Sequence, residues 1–272
     1  MGLNIGRTGF TSILAVTFLG AFLLFGLWTG MRKEAAMARG NSLSVRKVVD
    51  LTHTLSDRSP YFPGSRPFQL KPFVGYEKGY YMNEFCAPEH IGTHVDAPSH
   101  FVQGKSHVSD LTPDDLTGPG VMISVQASAK SNPDYRVVIA DLEKWEHRHG
   151  KIPSGAIVMV HTGWAERWED PNLFRNQDAS KVMHFPGFSK EAAEWLLTQR
   201  DISAIGIDTL SLDYGPSGDF QVHHLVLGRG KYMIESLANL EKLPPKGSYI
   251  VVAPLKIEKG SGAPARVLAL IP

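Results

Sequence analysis

The stretch His90-Ile-Gly-Thr-His-Val-Asp-Ala-Pro-Ser-His100 places three histidines and one aspartate within eleven residues. Two histidines four positions apart can share a helix face, but Gly92, Pro98 and the β-branched residues between them disfavour a helix. An extended conformation, in which alternate residues point to opposite sides, suits the stretch better. The pattern predicts a strand over 90–97 whose apolar side packs into a core. The opposite side then carries His90, Gly92, His94 and Asp96.

Two imidazoles and one carboxylate on one strand face are the ligands of a metal site that keeps open positions for water or substrate. Gly92 leaves room between them. Pro98 ends the strand, which places His100 on the following turn, where it can move protons. A single histidine is usually a surface or core residue, but this combination indicates a metal centre. A structural metal is the alternative, although structural zinc sites are usually rich in cysteine and the chain has one, Cys86.

A metal held by three ligands usually takes further ligands from elsewhere in the chain. The downstream candidates are Asp208, Asp213, Asp219, His223, His224 and Glu235. Asp208 ends a predicted buried strand, where a carboxylate needs a partner or a functional reason. His223 and His224 are adjacent, so on a strand or extended loop they point in opposite directions and at most one joins a site easily. Spacing alone does not choose among the six.

Hydrophobic patterns along the rest of the chain predict a mixed α/β class with a mixed sheet and few helices. Short apolar, β-branched runs predict strands at 45–51, 121–125, 156–162, 202–208, 249–255 and 266–271. Helices are predicted at 141–149, which a glycine follows, and at 189–200, which a serine caps. Residues 156–208 therefore contain a strand–helix–strand unit. The Pro- and Gly-rich stretch 57–72 is expected to be irregular.

Composition and the N-terminal sequence bound the functional classes. A net charge of +1 offers no basic surplus for nucleic acid, and a lone Cys86 is expected to be buried. The uncharged run Phe10–Thr29 is long enough to span a bilayer, so residues 1–38 are interpreted as a signal or membrane-anchor segment. We expect a protein outside the cytoplasm, periplasmic or secreted, tethered to the membrane if uncleaved. Residues 45–272 form the predicted single catalytic domain.

The eleven-residue stretch resembles the signature of the cyclase-like metal-dependent hydrolases, which include bacterial kynurenine formamidases and isatin hydrolases. Other fragments along the chain also resemble this family: Phe62-Pro63-Gly64, Thr162-Gly163-Trp164, Gly206-Ile-Asp-Thr209, the span from His223 to Glu235, and Gly260-Ser-Gly-Ala-Pro264. The resemblance implies a swivelling β/β/α fold and a homodimer or homotetramer. It also implies one or two divalent ions, zinc in most members and manganese in some.

By position, the resemblance assigns His90, His94 and Asp96 to a first metal. Asp96 and Glu235 would bridge to a second, held also by His223, and His100 would be the proton carrier. The residues alone do not select Glu235, because 233–236 has the pattern of a helix start.

The implied activity is hydrolysis of a non-peptide amide bond in a small aromatic substrate. Candidates are an arylformamide such as N-formylkynurenine and a cyclic amide such as isatin. Metal-activated water would attack the carbonyl, and His100, an imidazole expected to titrate near neutrality, would shuttle the proton. Kynurenine formamidases of this type carry a tryptophan where this chain has Phe62, which keeps an aromatic ring for substrate contact. An exported, metal-containing binding module without turnover is the alternative.

Overall fold

The computed structural model describes residues 44–272. The strands are β1 (Lys47–Asp50), β2 (Gln69–Val74), β3 (Met82–Cys86), β4 (His94–Asp96), β5 (Thr117–Ser124), β6 (Arg136–Val137), β7 (Ile157–His161), β8 (Gly187–Phe188), β9 (Ala204–Ile207), β10 (Tyr232–Glu235), β11 (Lys246–Pro254) and β12 (Gly262–Ile271). The α-helices are α1 (Gln126–Ser131), α2 (Ile139–His149), α3 (Pro171–Arg175), α4 (Lys190–Gln199) and α5 (Gln221–Gly228).

Seven strands close into a barrel in the order β12-β11-β5-β7-β9-β10-β4, because β4 pairs with both β10 and β12. Strands β5, β7, β9 and β10 run parallel, and the remaining barrel contacts are antiparallel. Strand β1 pairs with the C-terminal end of β12, residues 268–271. The predicted mixed α/β class with few helices is confirmed. The finer swivelling β/β/α description stays a prediction.

The parallel strands are buried on both faces, as is usual for strands covered by helices. In β7, Ile157 and Met159 point into the barrel core, whereas Val158 and Val160 pack in the layer that includes α2 and α4. This alternation gives the barrel wall an inner and an outer side, and the candidate site lies on the outer side.

The strand–helix–strand unit predicted over 156–208 is confirmed, since β7 and β9 are parallel neighbours joined through α4. Ser189 accepts a hydrogen bond from Ala192 N at the start of α4, and Gly150 follows α2 with a φ of 84°. Both are the caps that the sequence indicated.

Three expectations about local structure are corrected. Residues 233–236 do not begin a helix, because Tyr232–Glu235 is strand β10, held between β9 and β4. The irregular stretch ends earlier than expected, since β2 includes Pro72 at a bulge in a separate two-stranded sheet with β3. Cys86 is exposed rather than buried, because it lies at the end of β3 in that largely exposed sheet.

Within residues 44–272 the structure contains no helix long and apolar enough to cross a bilayer. The predicted signal or anchor segment, residues 1–38, lies outside the described residues.

Candidate metal centre

The ligand stretch is extended over only three residues. Strand β4 covers His94–Asp96, and Gly92 before it has a φ of 66°, in the left-handed region that favours glycine. The expectation of one continuous strand over 90–97 is therefore wrong for its first half. A Cβ on Gly92 would lie 2.3 Å from Leu55 Cδ2. This glycine therefore allows the close packing of Leu55 and a reversal of the backbone, and it does not serve to leave space between ligands.

Strands β4 and β10 bring the His94 imidazole and the carboxylates of Asp96 and Glu235 together. His94 lies directly opposite Glu235 in the antiparallel register, and Asp96 is two residues along on the same face as His94. His94 Nε2 is 3.2 Å from Asp96 Oδ1 and 3.4 Å from Glu235 Oε2. Val95 and Ile234, the alternate residues, point into the barrel core. The pairing of two short strands thus places three polar side chains on the outer side of the barrel wall.

Helix α5 adds His223 to this cluster. Its Nε2 lies 3.2 Å from Glu235 Oε1 and 3.4 Å from Asp96 Oδ2. The sequence argument that at most one of the two adjacent histidines joins the site holds, but its reason was wrong, since both are helical rather than extended. His224 is exposed.

Asp213 fixes the orientation of His223. Its carboxylate accepts hydrogen bonds from the backbone N–H groups of Val222 and His223 at the helix start, and lies 2.6 Å from His223 Nδ1. Burial alone raises the pKa of Asp213, but these hydrogen bonds and the charge of His223 hold it below its usual value. Asp213 is therefore an orienting partner rather than a member of the central cluster.

His90 and His100 approach Asp96 from the other side. His90 Nδ1 is 2.6 Å from Asp96 Oδ1. His100, on the 3-10 turn Pro98–His100, stacks on His90 with ring centroids 3.8 Å apart. The turn after Pro98 is confirmed. Among the described residues, possible ligand atoms gather in two groups that share Asp96: His90 with His100, and His94 with Glu235.

The donor set fits a divalent ion. His94 Nε2 and Asp96 Oδ2 are buried and without a hydrogen-bond partner, which is costly unless a cation completes them. His94 donates from Nδ1 to the Gly92 carbonyl oxygen at 2.8 Å, leaving Nε2 to face the carboxylates. Imidazole and carboxylate donors suit zinc and manganese.

The centre has a negative potential that attracts positive charge. Burial lowers the pKa of His94, but Asp96 and Glu235 outweigh it and raise that pKa to about 9. Burial acts on His223 in the same direction, but its hydrogen bond to Asp213 and the nearby carboxylates of Asp96 and Glu235 raise its pKa well above the usual value. Sites that stabilise charged imidazolium groups in this way also favour a metal cation.

His100 behaves differently. Burial, assisted by the neighbouring imidazoles and opposed by Asp96, lowers the pKa of His100 to about 4. This differs from the expectation of titration near neutrality, because the ring is enclosed between His90 and Phe101. At neutral pH the ring is unprotonated and can accept a proton.

A cavity of about 280 Å³ opens onto this centre. Its aromatic walls are Phe62, Phe101 and Phe220, with the Phe220 ring centroid 6.2 Å from that of Phe62 and 5.5 Å from that of Phe101. Phe62 thus lines the cavity, and its contact with a substrate stays a prediction. Phe101 and Phe220 were not singled out, although Phe101 directly follows His100 and Phe220 directly precedes α5.

Two other downstream candidates lie outside the centre. Asp208 is fully buried and accepts hydrogen bonds from the loop after β7, including Thr162 Oγ1 at 2.6 Å. Asp219 is exposed and accepts hydrogen bonds from Ser217 and Gln221. Both carboxylates are occupied by local partners.

Comparison with known proteins places these residues in a family. The family profile described as a putative cyclase matches residues 49–214. The chain belongs to the cyclase family. This confirms the resemblance drawn from the ligand stretch.

Three relatives show how far the likeness of this cyclase-family chain extends. The isatin hydrolase of Roseibium aggregatum is 36% identical over 244 residues, which cover 83% of this chain and 92% of that protein. The kynurenine formamidase of Bordetella avium is 25% identical, covering 82% of this chain and 98% of that protein. The solved structure of isatin hydrolase A from Ralstonia solanacearum superimposes with a TM-score of 0.80 at 35% identity, covering 98% of this chain and 100% of that one.

Proposed function

We propose that this chain is a metal-dependent hydrolase that cleaves a non-peptide amide bond in a small aromatic substrate. The observation that carries the proposal is the buried cluster around Asp96, with its unpartnered donor atoms, at the floor of an aromatic-walled cavity. Isatin hydrolase and kynurenine formamidase, hydrolases of carbon–nitrogen bonds other than peptide bonds, share its family and support the reaction class.

A cyclic amide of the isatin type is the favoured substrate, and an arylformamide such as N-formylkynurenine is the second candidate. Identity to the isatin hydrolase is 36%, against 25% to the kynurenine formamidase. The rings of Phe62, Phe101 and Phe220 would stack against the aryl group of either compound.

The ion would be held by His94, Asp96, Glu235 and His223, with His90 on the other side of Asp96. When bound, a divalent ion acidifies water and takes up negative charge beside the carbonyl oxygen. Because two groups of donors share Asp96, the centre has donors for one ion or two. Zinc is the proposed metal and manganese the alternative.

His100 is the proposed proton carrier. Its unprotonated ring accepts the proton of the attacking water and delivers it to the departing amide nitrogen. Its place beside Asp96 also puts it within ligand range.

Two substitutions separate ligand from proton carrier. We expect His94→Ala to lose bound metal and activity together, because it removes a buried donor. His100→Ala should retain metal and lose turnover by about 10²–10⁴-fold, the usual contribution of general acid–base catalysis. Metal content by plasma mass spectrometry and kcat on isatin measure both. Loss of metal in His100→Ala would show that His100 is a metal ligand. A kcat near the wild-type value in the same variant would contradict its role as proton carrier.

Substrate and turnover are tested by assaying isatin and N-formylkynurenine with added zinc or manganese. Ring opening of isatin supports the proposal. Binding of both compounds without product would instead support the exported binding module.

We also propose a homo-oligomer and a location outside the cytoplasm. The exposed apolar side chains of the β2–β3 sheet support the homo-oligomer. The second rests on Phe10–Thr29, outside the described residues. Cell fractionation that finds the chain soluble in the cytoplasm with an intact N-terminus would contradict it.

A further inference from the structure

His90 is the ligand candidate least constrained by its own backbone. It lies in a bend before Gly92 and outside β4, and its side chain is 23% exposed, against 4% for His94. Its ring orientation must therefore be set by contacts from other parts of the chain.

Those contacts come from Ser261 and Glu89. His90 Nε2 lies 2.9 Å from Ser261 Oγ. Ser261 in turn donates to Glu89 Oε2 twice, from its hydroxyl at 2.5 Å and from its backbone N–H at 3.0 Å. The three side chains form a continuous chain that leads away from the metal centre.

The chemistry of the donors determines where each proton lies. An ionised carboxylate only accepts, so the Ser261 hydroxyl proton points to Glu89. Ser261 Oγ then accepts from His90, which places the ring proton on Nε2. In the neutral ring, His90 Nδ1 then carries the lone pair, which faces Asp96 Oδ1 at 2.6 Å. A lone pair and a carboxylate oxygen repel each other at that distance unless a cation, either a proton or a metal ion, lies between them.

The backbone holds Ser261 in this place. Ala97 N donates to Ser261 O, and Val108 N donates to Gly260 O, both at 2.9 Å. A Cβ on Gly262 would lie 2.5 Å from His90 Cε1, so the start of β12 contacts the imidazole directly. A glycine at 262 thus has a physical reason, since a side chain there would collide with the His90 ring. A Cβ on Gly260 would lie 3.1 Å from Glu89 Oε1, so that residue allows the close approach of Glu89.

We propose that Ser261 and Glu89 are positioning residues that hold His90 in the tautomer presenting Nδ1 to the metal. The other two imidazoles of the centre follow the same pattern with different partners. His94 Nδ1 is fixed by the Gly92 carbonyl and His223 Nδ1 by Asp213. Among these three imidazoles, only His90 is connected to its orienting carboxylate, Glu89, through a serine hydroxyl. It is also the only one of the three that would offer Nδ1 rather than Nε2 to the metal. The inference rests on the metal centre of the proposed function.

Metal affinity of the full-length protein tests the proposal. Zinc affinity is measured by competition with a chromophoric chelator in wild type, Ser261→Ala and Glu89→Gln. We expect Ser261→Ala to weaken zinc binding by about 10- to 100-fold, as is typical when a partner of a metal-bound histidine is removed. Glu89→Gln keeps an acceptor for the serine, so we expect a smaller loss. Glu258→Gln, an exposed glutamate on the same turn, is the matched control and should bind zinc as wild type does.

A spectroscopic readout separates positioning from general destabilisation. Long-range ¹H–¹⁵N correlation of the zinc-loaded, histidine-labelled protein should show His90 protonated on Nε2 and metal-bound through Nδ1. Protonated Nδ1 would overturn the proposal, as would a Ser261→Ala variant that binds zinc within about twofold of wild type. If wild type itself binds no metal, the proposed function fails first and the inference with it.

Discussion

At the residue scale, the direction of the ligand stretch depends on Gly92. Its φ of 66° reverses the backbone between His90 and His94, and its carbonyl oxygen fixes the His94 ring. A side chain at this position meets both the left-handed strain and the Leu55 methyl group. The same residue therefore sets backbone path and ligand orientation.

We expect Gly92→Ala to lower the free energy of unfolding by about 2–3 kcal/mol, from left-handed strain of about 1–2 kcal/mol plus the contact with Leu55. Gly104→Ala is the matched control, because Gly104 has a φ of 79° but nothing within 4 Å of an added Cβ. It should cost the strain alone, about 1 kcal/mol. Urea unfolding of metal-free protein measures both, and equal losses would remove Leu55 from the explanation.

The candidate ligands form a pattern that is visible in the sequence, but their supporting partners do not. The four candidates for metal binding or proton transfer in this stretch, His90, His94, Asp96 and His100, lie within eleven positions and therefore form a local pattern. Ser261 lies 171 residues from the ring that it contacts. Only the closure of β12 onto β4 brings that pair together, and sequence spacing carries no sign of it.

At the element scale, Asp208 anchors the loop that follows β7. It accepts hydrogen bonds from the backbone N–H groups of Thr162, Gly163 and Trp164 and from the Thr162 hydroxyl. Burial raises the pKa of the Asp208 carboxyl, and the hydrogen bonds from Thr162 oppose that rise. These bonds connect the end of β9 to the end of β7.

We expect Asp208→Asn to lower the free energy of unfolding by about 2–3 kcal/mol, because an amide NH₂ then faces buried N–H donors and leaves some of them unpaired. Metal content should stay at the wild-type level, since Asp208 lies outside the centre. Asp201→Asn is the control, because Asp201 is an exposed aspartate just before β9 and should change stability little. Loss of metal from Asp208→Asn at unchanged stability would return Asp208 to the list of ligands.

Element prediction succeeded where local pattern and tertiary contacts agree. The β7–α4–β9 unit has apolar β-branched runs, a capping serine and an amphipathic helix, and each element formed as expected. Strand β10 was not predicted because 233–236 has the pattern of a helix start, and pairing with β9 and β4 on both sides decides its conformation. That strand carries Glu235, so the misread strand also explains why the residues alone did not select Glu235 among the six candidate ligands.

At the scale of the whole molecule, the β2–β3 sheet stands apart from the barrel. It presents large side chains that are between 41% and 78% exposed: Leu70, Phe73, Tyr76, Tyr80, Tyr81, Met82 and Phe85. At about 200 Å² for each fully exposed side chain, they offer roughly 800 Å² of surface. Summed in this way, the exposed area is similar to that of one side of a standard interface.

The sheet also has unpaired strand edges within residues 44–272, since β2 and β3 pair only with each other there. Exposed edges beside an apolar surface invite pairing with another chain. A second copy of the chain is the occupant that agrees with the homo-oligomer implied by the family resemblance. A membrane surface is the competing occupant.

We expect the triple variant Phe73→Ser, Tyr76→Ser, Phe85→Ser to shift the protein from dimer or tetramer to monomer, because it removes the most exposed apolar surface of the sheet. Light scattering on the full-length chain in mild detergent, corrected for bound detergent, gives the mass. The control changes exposed apolar residues elsewhere, Leu173→Ser with Leu255→Ser, and should keep the wild-type mass. A wild type that is already monomeric would contradict the homo-oligomer. A triple variant that keeps its mass but loses binding to lipid vesicles would assign this surface to the membrane instead.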